Sequence, residues 1–143
     1  MKKLARGFTL IELLVVIAII GILSAVVLAA LGAAKNKSGD AAVESDLQSI
    51  RSQAEIYYNN NSYTYGTASN SCTTAVFSDP TIQKALANIT TNNAGGTVVC
   101  NSVSGAYAIE SPLKSATNLY WCVDAGGQSK KETAALATGA TAC

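Results

Sequence analysis

The sequence predicts an α+β fold in which a long N-terminal α-helix packs on a small antiparallel β-sheet. Three observations predict it. Leu13 to Ala34 is a run of 22 residues that holds none of the 19 charged side chains in this 143-residue chain. Val43, Leu47, Ile50, Ala54 and Tyr57 then recur at spacings of 4, 3, 4 and 3, an amphipathic stripe that continues the helix. Farther along, residues 97–103, 106–110 and 118–124 read as β-like stretches punctuated by Ser, Gly and Pro.

The uncharged run can cross a membrane: at about 1.5 Å per residue it reaches roughly 33 Å, against a hydrocarbon core of about 30 Å. Lys2, Lys3 and Arg6 precede it and only Lys35 and Lys37 follow closely. The positive-inside bias therefore places the N-terminus in the cytoplasm. A cleavable secretory signal competes with this reading, but the run is longer than the usual apolar core and Glu12 interrupts its start. A plain anchor with Glu12 at the interface is the other competitor. Ala18, Gly21, Ala25, Ala29 and Gly32, spaced 3, 4, 4 and 3, form one narrow face of small residues. Such stripes let membrane helices approach closely, although Gly and Ala are also simply common in spans.

In the second half of the helix, Arg51 and Glu55 are expected outside as an i,i+4 pair, with Asp40 and Glu44 similarly exposed. Ser38-Gly39-Asp40 is expected to weaken the join and leave room for a bend. The Asn59-Asn60-Asn61 run ends the helix. Residues 62–96 read as a long connection with one short helix, about 81–87, after Asp79-Pro80. Ser111-Pro112 and residues 114–117 separate the second and third strands as a hairpin, Gly126-Gly127 closes the last strand, and the sheet packs on the Val43–Tyr57 face.

Between Lys35 and Cys143 there are 109 residues, of which only 24 are large apolar or aromatic and 43 are Ser, Thr, Asn or Gly. That is a small core, so cross-links matter. Cys72, Cys100, Cys122 and Cys143 permit three pairings; a zinc site is the weaker rival, with no CxxC and no His in the chain. The favoured pairing is Cys72–Cys100, closing the long connection, with Cys122–Cys143 tying the tail to the last strand. Each would contribute about 3 kcal/mol in the chain-entropy model.

A net charge of +1 gives no field to attract nucleic acid, and none is predicted as a partner. The lack of His, and of any G-x-S-x-G, P-loop or dinucleotide fingerprint, argues against catalysis and against a cofactor. Asp124 ahead of Gly126-Gly127-Gln128 offers too few carboxylates for calcium, so no metal is expected. Tyr57, Tyr58, Tyr63 and Tyr65 read as packing residues. Asn60-Asn61-Ser62 and Asn88-Ile89-Thr90 fit the glycosylation acceptor pattern, which arises often by chance in an Asn-rich chain.

Gly7-Phe8-Thr9-Leu10-Ile11-Glu12, behind a short basic leader and ahead of an uninterrupted span, resembles the class III signal of the type IV pilin family, including the pseudopilins of type II secretion and competence systems. The resemblance is close over about the first 34 residues and architectural beyond them. It implies the lollipop fold of that family, a leader 1–7, a transmembrane and polymerisation helix 8–34, and an exported head 35–143. Within the head it implies an amphipathic helix about 40–59, a variable connection 60–96, and a sheet with a C-terminal disulfide loop, 97–143; the Cys122–Cys143 pair resembles that loop. It also implies cleavage between Gly7 and Phe8 by a prepilin peptidase, with N-methylation of Phe8. Gly7, lacking a side chain, would let the scissile peptide enter a membrane-embedded active site. The 136-residue product would carry 7 basic and 9 acidic side chains.

Glu12 would pair with the Phe8 amine of a neighbouring subunit and set the axial register; pairing within one chain is also sterically open. The implied partners are further copies of the chain in a helical filament, the peptidase, an inner-membrane assembly platform, and membrane lipid before assembly. The precursor would sit in the cytoplasmic membrane and the filament at the cell surface. A major pseudopilin of a secretion or competence system is the alternative, and a non-polymerising anchored or secreted binding module the alternative from another class. Many pilins carry a Pro in the lower half of the helix; here the first Pro is Pro80.

Overall fold

The computed structural model describes residues 7–93 and 95–143. Two compact units divide at Lys35/Asn36. One helix, α1, runs from Leu10 to Asn60. The Ser38-Gly39-Asp40 step does not interrupt it: Gly39 and Asp40 are buried, and contacts with the rest of the head fix the helix where propensity alone is weak. A β-carbon at Gly39 would come within 3.1 Å of the Asn92 carbonyl oxygen, so Gly permits a close approach here.

The head follows α1 with a short 3-10 turn, Ala75–Ser78, and a second helix, α2, Pro80–Asn92. Asp79 caps α2, its Oδ1 accepting from the Thr81 and Ile82 N–H groups at 2.8 and 3.2 Å, and Pro80 occupies the first helical position. The helix is longer than the sequence reading, extending to Asn92 because Ile82, Leu86 and Ile89 bury one face.

Four strands form one antiparallel sheet in chain order: β1, Val99–Val103; β2, Ala106–Pro112; β3, Tyr120–Asp124; and β4, Ser129–Glu132. Strand β4 is absent from the sequence reading, and Gly126-Gly127 turns the chain into it rather than ending the sheet. Ser-Lys-Lys-Glu has no apolar alternation to announce a strand, and its pairing with β3 follows from the turn, where Gly127 adopts φ +91°.

The register assigns the two faces of the sheet. Cys100, Tyr107, Ile109 and Val123 face inward and join Val43, Leu47, Ile50 and Ala54 of α1 and Ile82, Leu86 and Ile89 of α2 in one core. The opposite face carries Asn101, Glu110, Cys122 and Asp124, over which the tail is fastened. Asn101 Nδ2 donates to the Ala137 and Ala140 carbonyls, Glu110 Oε1 accepts from Leu136 N–H, and Asp124 Oδ2 accepts from Cys143 N–H.

Two charge expectations fail. Asp40 is buried, because its carboxylate accepts the backbone N–H groups of Lys114 and Ser115 at 2.5 and 3.1 Å. Arg51 and Glu55 do not form an ion pair among the described residues; Glu55 Oε1 instead accepts from the Tyr65 hydroxyl at 2.8 Å, and Arg51 is half-buried.

Candidate functional site: the start of the apolar helix

Gly7, Phe8 and Thr9 lie outside helical structure, and α1 begins at Leu10. A reciprocal hydrogen-bonded cap sets this start. The Thr9 N–H and hydroxyl both donate to Glu12 Oε2, at 2.9 and 2.7 Å, while Glu12 N–H donates to Thr9 Oγ1 at 3.3 Å. This is a capping box, in which Thr and Glu three residues apart satisfy amide groups that the first turn leaves without helical partners. The negative carboxylate also lies at the positive end of the helix dipole. Glu12 is therefore engaged within its own chain by Thr9, in a structure where Phe8 N belongs to an intact Gly7–Phe8 peptide. Thr9 carries no role in the sequence reading, yet Thr-x-x-Glu ahead of an apolar run is the signal for it.

Gly7 has open space around it, with no atom within 4 Å of where a β-carbon would stand. Beyond the cap, the apolar helix has no cover of its own. Leu13, Ile17, Ile22 and Leu28 are 55 to 69% exposed. Ala18, Gly21, Ala25, Ala29 and Gly32 are also exposed, and nothing meets a β-carbon built at Gly21 or Gly32. Such a helix is stable only against lipid or other apolar helices. The basic residues Lys2, Lys3 and Arg6 of the expected leader lie outside the described residues.

The cysteines lie in the head. Cys72 is bonded to Cys100, with Cα atoms 5.1 Å apart, and Cys122 to Cys143, with Cα atoms 5.8 Å apart. The first links the connection after α1 to β1; the second fastens the tail to β3. No cluster of three or more His, Cys, Asp or Glu side chains suited to a metal occurs among the described residues.

The site is thus a helix with a capped start just past a Gly-Phe junction and an apolar surface left bare by its own chain. Residues 2–28 match the family described as the prokaryotic N-terminal methylation motif. The chain is 51% identical over 61 residues to the type IV wide pilus major component of Thermus thermophilus, covering 42% of this chain and 47% of that one. It is 39% identical over 62 residues to the type II secretion system core protein G of Dickeya chrysanthemi, covering 43% and 40%. The matched stretch thus spans less than half the length of either relative. No solved structure matches. Residues 2–28 thus carry the N-terminal methylation motif, and the chain is similar over part of its length to a type IV pilus component and to a type II secretion core protein.

Proposed function

We propose that this chain is a prepilin, cleaved between Gly7 and Phe8 by a prepilin peptidase, N-methylated on Phe8, and polymerised through residues 8–34 into a type IV pilus-like filament. The observation that carries the reading is the bare apolar helix directly behind the processing motif. In lipid it is a span; in a filament the same surface becomes a shared core, and the stripe from Ala18 to Gly32 is where neighbouring backbones approach. The role is structural rather than enzymatic, with no cofactor. The precursor lies across the cytoplasmic membrane with its N-terminus in the cytoplasm and its head outside, and an inner-membrane platform extracts it into a surface fibre.

Cleavage removes Lys2, Lys3 and Arg6 and creates an ammonium at Phe8. Glu12 then has two claimants, Thr9 of its own chain and the Phe8 amine of a neighbour. Exchange of the capping box for the intersubunit pair keeps the carboxylate partnered in both states, as an ionised group among apolar helices requires. N-terminal sequencing of the cell-surface material tests the processing: a methylated Phe8 start is expected, and an intact Met1 or a start near Lys35 would overturn it. Likeness to the secretion core protein supports a second reading, a major pseudopilin whose filament serves secretion. Loss of a secreted substrate with no loss of surface fibres in a deletion strain would select that reading.

A further inference from the structure

We propose that Glu110 carries a proton while the C-terminal strap, residues 133–142, lies on the sheet, its Oε2–H donating to Asn101 Oδ1, and that loss of this proton lets the strap lift.

Residues 133–142 form neither helix nor strand, and the chain is fixed on either side of them: Glu132 pairs with Tyr120 in the sheet and Cys143 is bonded to Cys122. Between those points, among the described residues, two side chains hold the strap to the sheet by hydrogen bonds. Glu110 Oε1 accepts from Leu136 N–H at 2.8 Å, and Asn101 Nδ2 donates to the Ala137 and Ala140 carbonyls at 2.9 and 2.8 Å.

The two side chains are neighbours. Asn101 stands opposite Ala108 and Glu110 opposite Val99, so they are diagonal partners on one face of the β1–β2 pair. They grip consecutive residues of the strap, Leu136 and Ala137, which holds their far ends close together. Each residue is 1% exposed, and Glu110 Oε2 and Asn101 Oδ1 have no partner among the described residues. Two carbonyls occupy the Asn101 amino group, so its oxygen can only accept. An ionised Glu110 would set a second acceptor beside the first with no donor for either, and would leave a buried charge unpaired. A proton on Oε2 supplies the one donor that both atoms lack.

The other charged groups on this face are engaged elsewhere. Asp124 on β3 accepts from Gln128 N–H and Cys143 N–H, and Lys130 on β4 pairs with Glu132 at 2.9 Å. Strand β1 and residues 133–142 contribute no charged side chain, and Cys143 adds its α-carboxyl. Burial is the main cause that raises the Glu110 pKa; the Leu136 bond opposes the rise and the Glu132 charge adds to it. The strapped form therefore binds the proton more tightly than a lifted form that admits water. It is favoured in full below the lifted-form value and loses ground as pH rises toward the strapped-form value.

The test follows amide exchange of the full-length chain in detergent micelles by NMR from acidic to neutral pH, corrected for the intrinsic chemical rate. Protection at Leu136 is expected to fall with rising pH and to level off once the Glu110 carboxyl carbon has titrated. It should also stay below that of Ile109 on the same strand, the mark of a local opening. Glu110→Gln, whose amide offers an N–H to Asn101 Oδ1 and a carbonyl to Leu136, is expected to lose that fall. Glu132→Gln removes the neighbouring negative charge, so the Glu110 titration and the levelling-off point should move to lower pH together. The same fall in Glu110→Gln as in wild type would assign the pH response to another group and overturn the proposal, as would movement of one reading without the other in Glu132→Gln. Equal protection at Leu136 and Ile109 at every pH would mean that only global unfolding frees Leu136, and would overturn the strap.

Discussion

Asp40 and Glu110 show what single buried carboxylates do in a head with so small a core. Asp40 satisfies two backbone donors of the β2–β3 connection, 74 and 75 residues away in sequence. Asp40→Ala is expected to destabilise the head by about 1–3 kcal/mol, read by urea denaturation, because it strands both N–H groups. Glu110 is almost wholly buried; one oxygen accepts from Leu136 N–H, and Oε2 has no partner among the described residues. Burial is the main cause that raises its pKa above 4.5, with the Leu136 bond opposing and the Glu132 charge adding to the rise. A raised folded-state value means that the folded form binds the proton more tightly than the unfolded form. The contribution to stability is thus complete below the unfolded value and lost as pH rises through the folded one. Glu110→Gln keeps an acceptor for Leu136 and should flatten this fall, so the variant gains on wild type toward neutral pH; equal slopes in urea midpoint against pH would contradict it. For Glu12, Glu12→Leu is expected to insert and be cleaved yet assemble poorly, scored by filament yield. Normal filaments would remove its role in register.

Elements differ in how much of them the residues announce. The apolar run, the Val43–Tyr57 stripe and the Asn59–Asn61 stop describe α1 because a helix advertises its period locally. Asp79-Pro80 marks the start of α2, and Asp79→Ala should cost about 1 kcal/mol by loss of that cap. The burial of Asp40 and of Gly39 was not legible, since their partners lie on the β2–β3 connection and at the end of α2. Strand β4 was hidden because Ser129–Glu132 has no apolar face; only the preceding glycine turn and its neighbour β3 make it a strand. At the candidate site, Phe8 and Glu12 could be read from the motif, and the Thr9-to-Glu12 spacing carried the signature of the capping box as well. The tail is held by the Cys122–Cys143 bond, which the sequence already favoured, and by Asn101, Glu110 and Asp124, side chains on three strands that no local pattern reveals. Cys143→Ser is expected to destabilise the head by about 3 kcal/mol and make residues beyond Glu132 sensitive to protease.

At the scale of the whole molecule the chain divides into a helix whose apolar surface has no cover and a head closed by its own core, two disulfides and buried polar contacts. The two parts answer to different solvents. The first needs hydrocarbon, from lipid or from other helices, while the head folds around side chains drawn entirely from residues 36–143. A chain starting at residue 36 is expected to remain water-soluble and monomeric with both disulfides formed, as read by sedimentation and non-reducing mass mapping.

A polymer built from such subunits would crowd many sheets together, and open sheet edges under crowding invite pairing between molecules. Here each edge is guarded. Ser69 exchanges backbone hydrogen bonds with Ser102 along β1, and the Cys72–Cys100 bond holds the neighbouring chain there. At the other edge, β4 is four residues long and bears Lys130, Lys131 and Glu132. The strand with the least hydrophobic content thus joins the covered β1 edge in leaving other sheets little to pair with, which a fibre assembled through its helices as proposed would require of its heads.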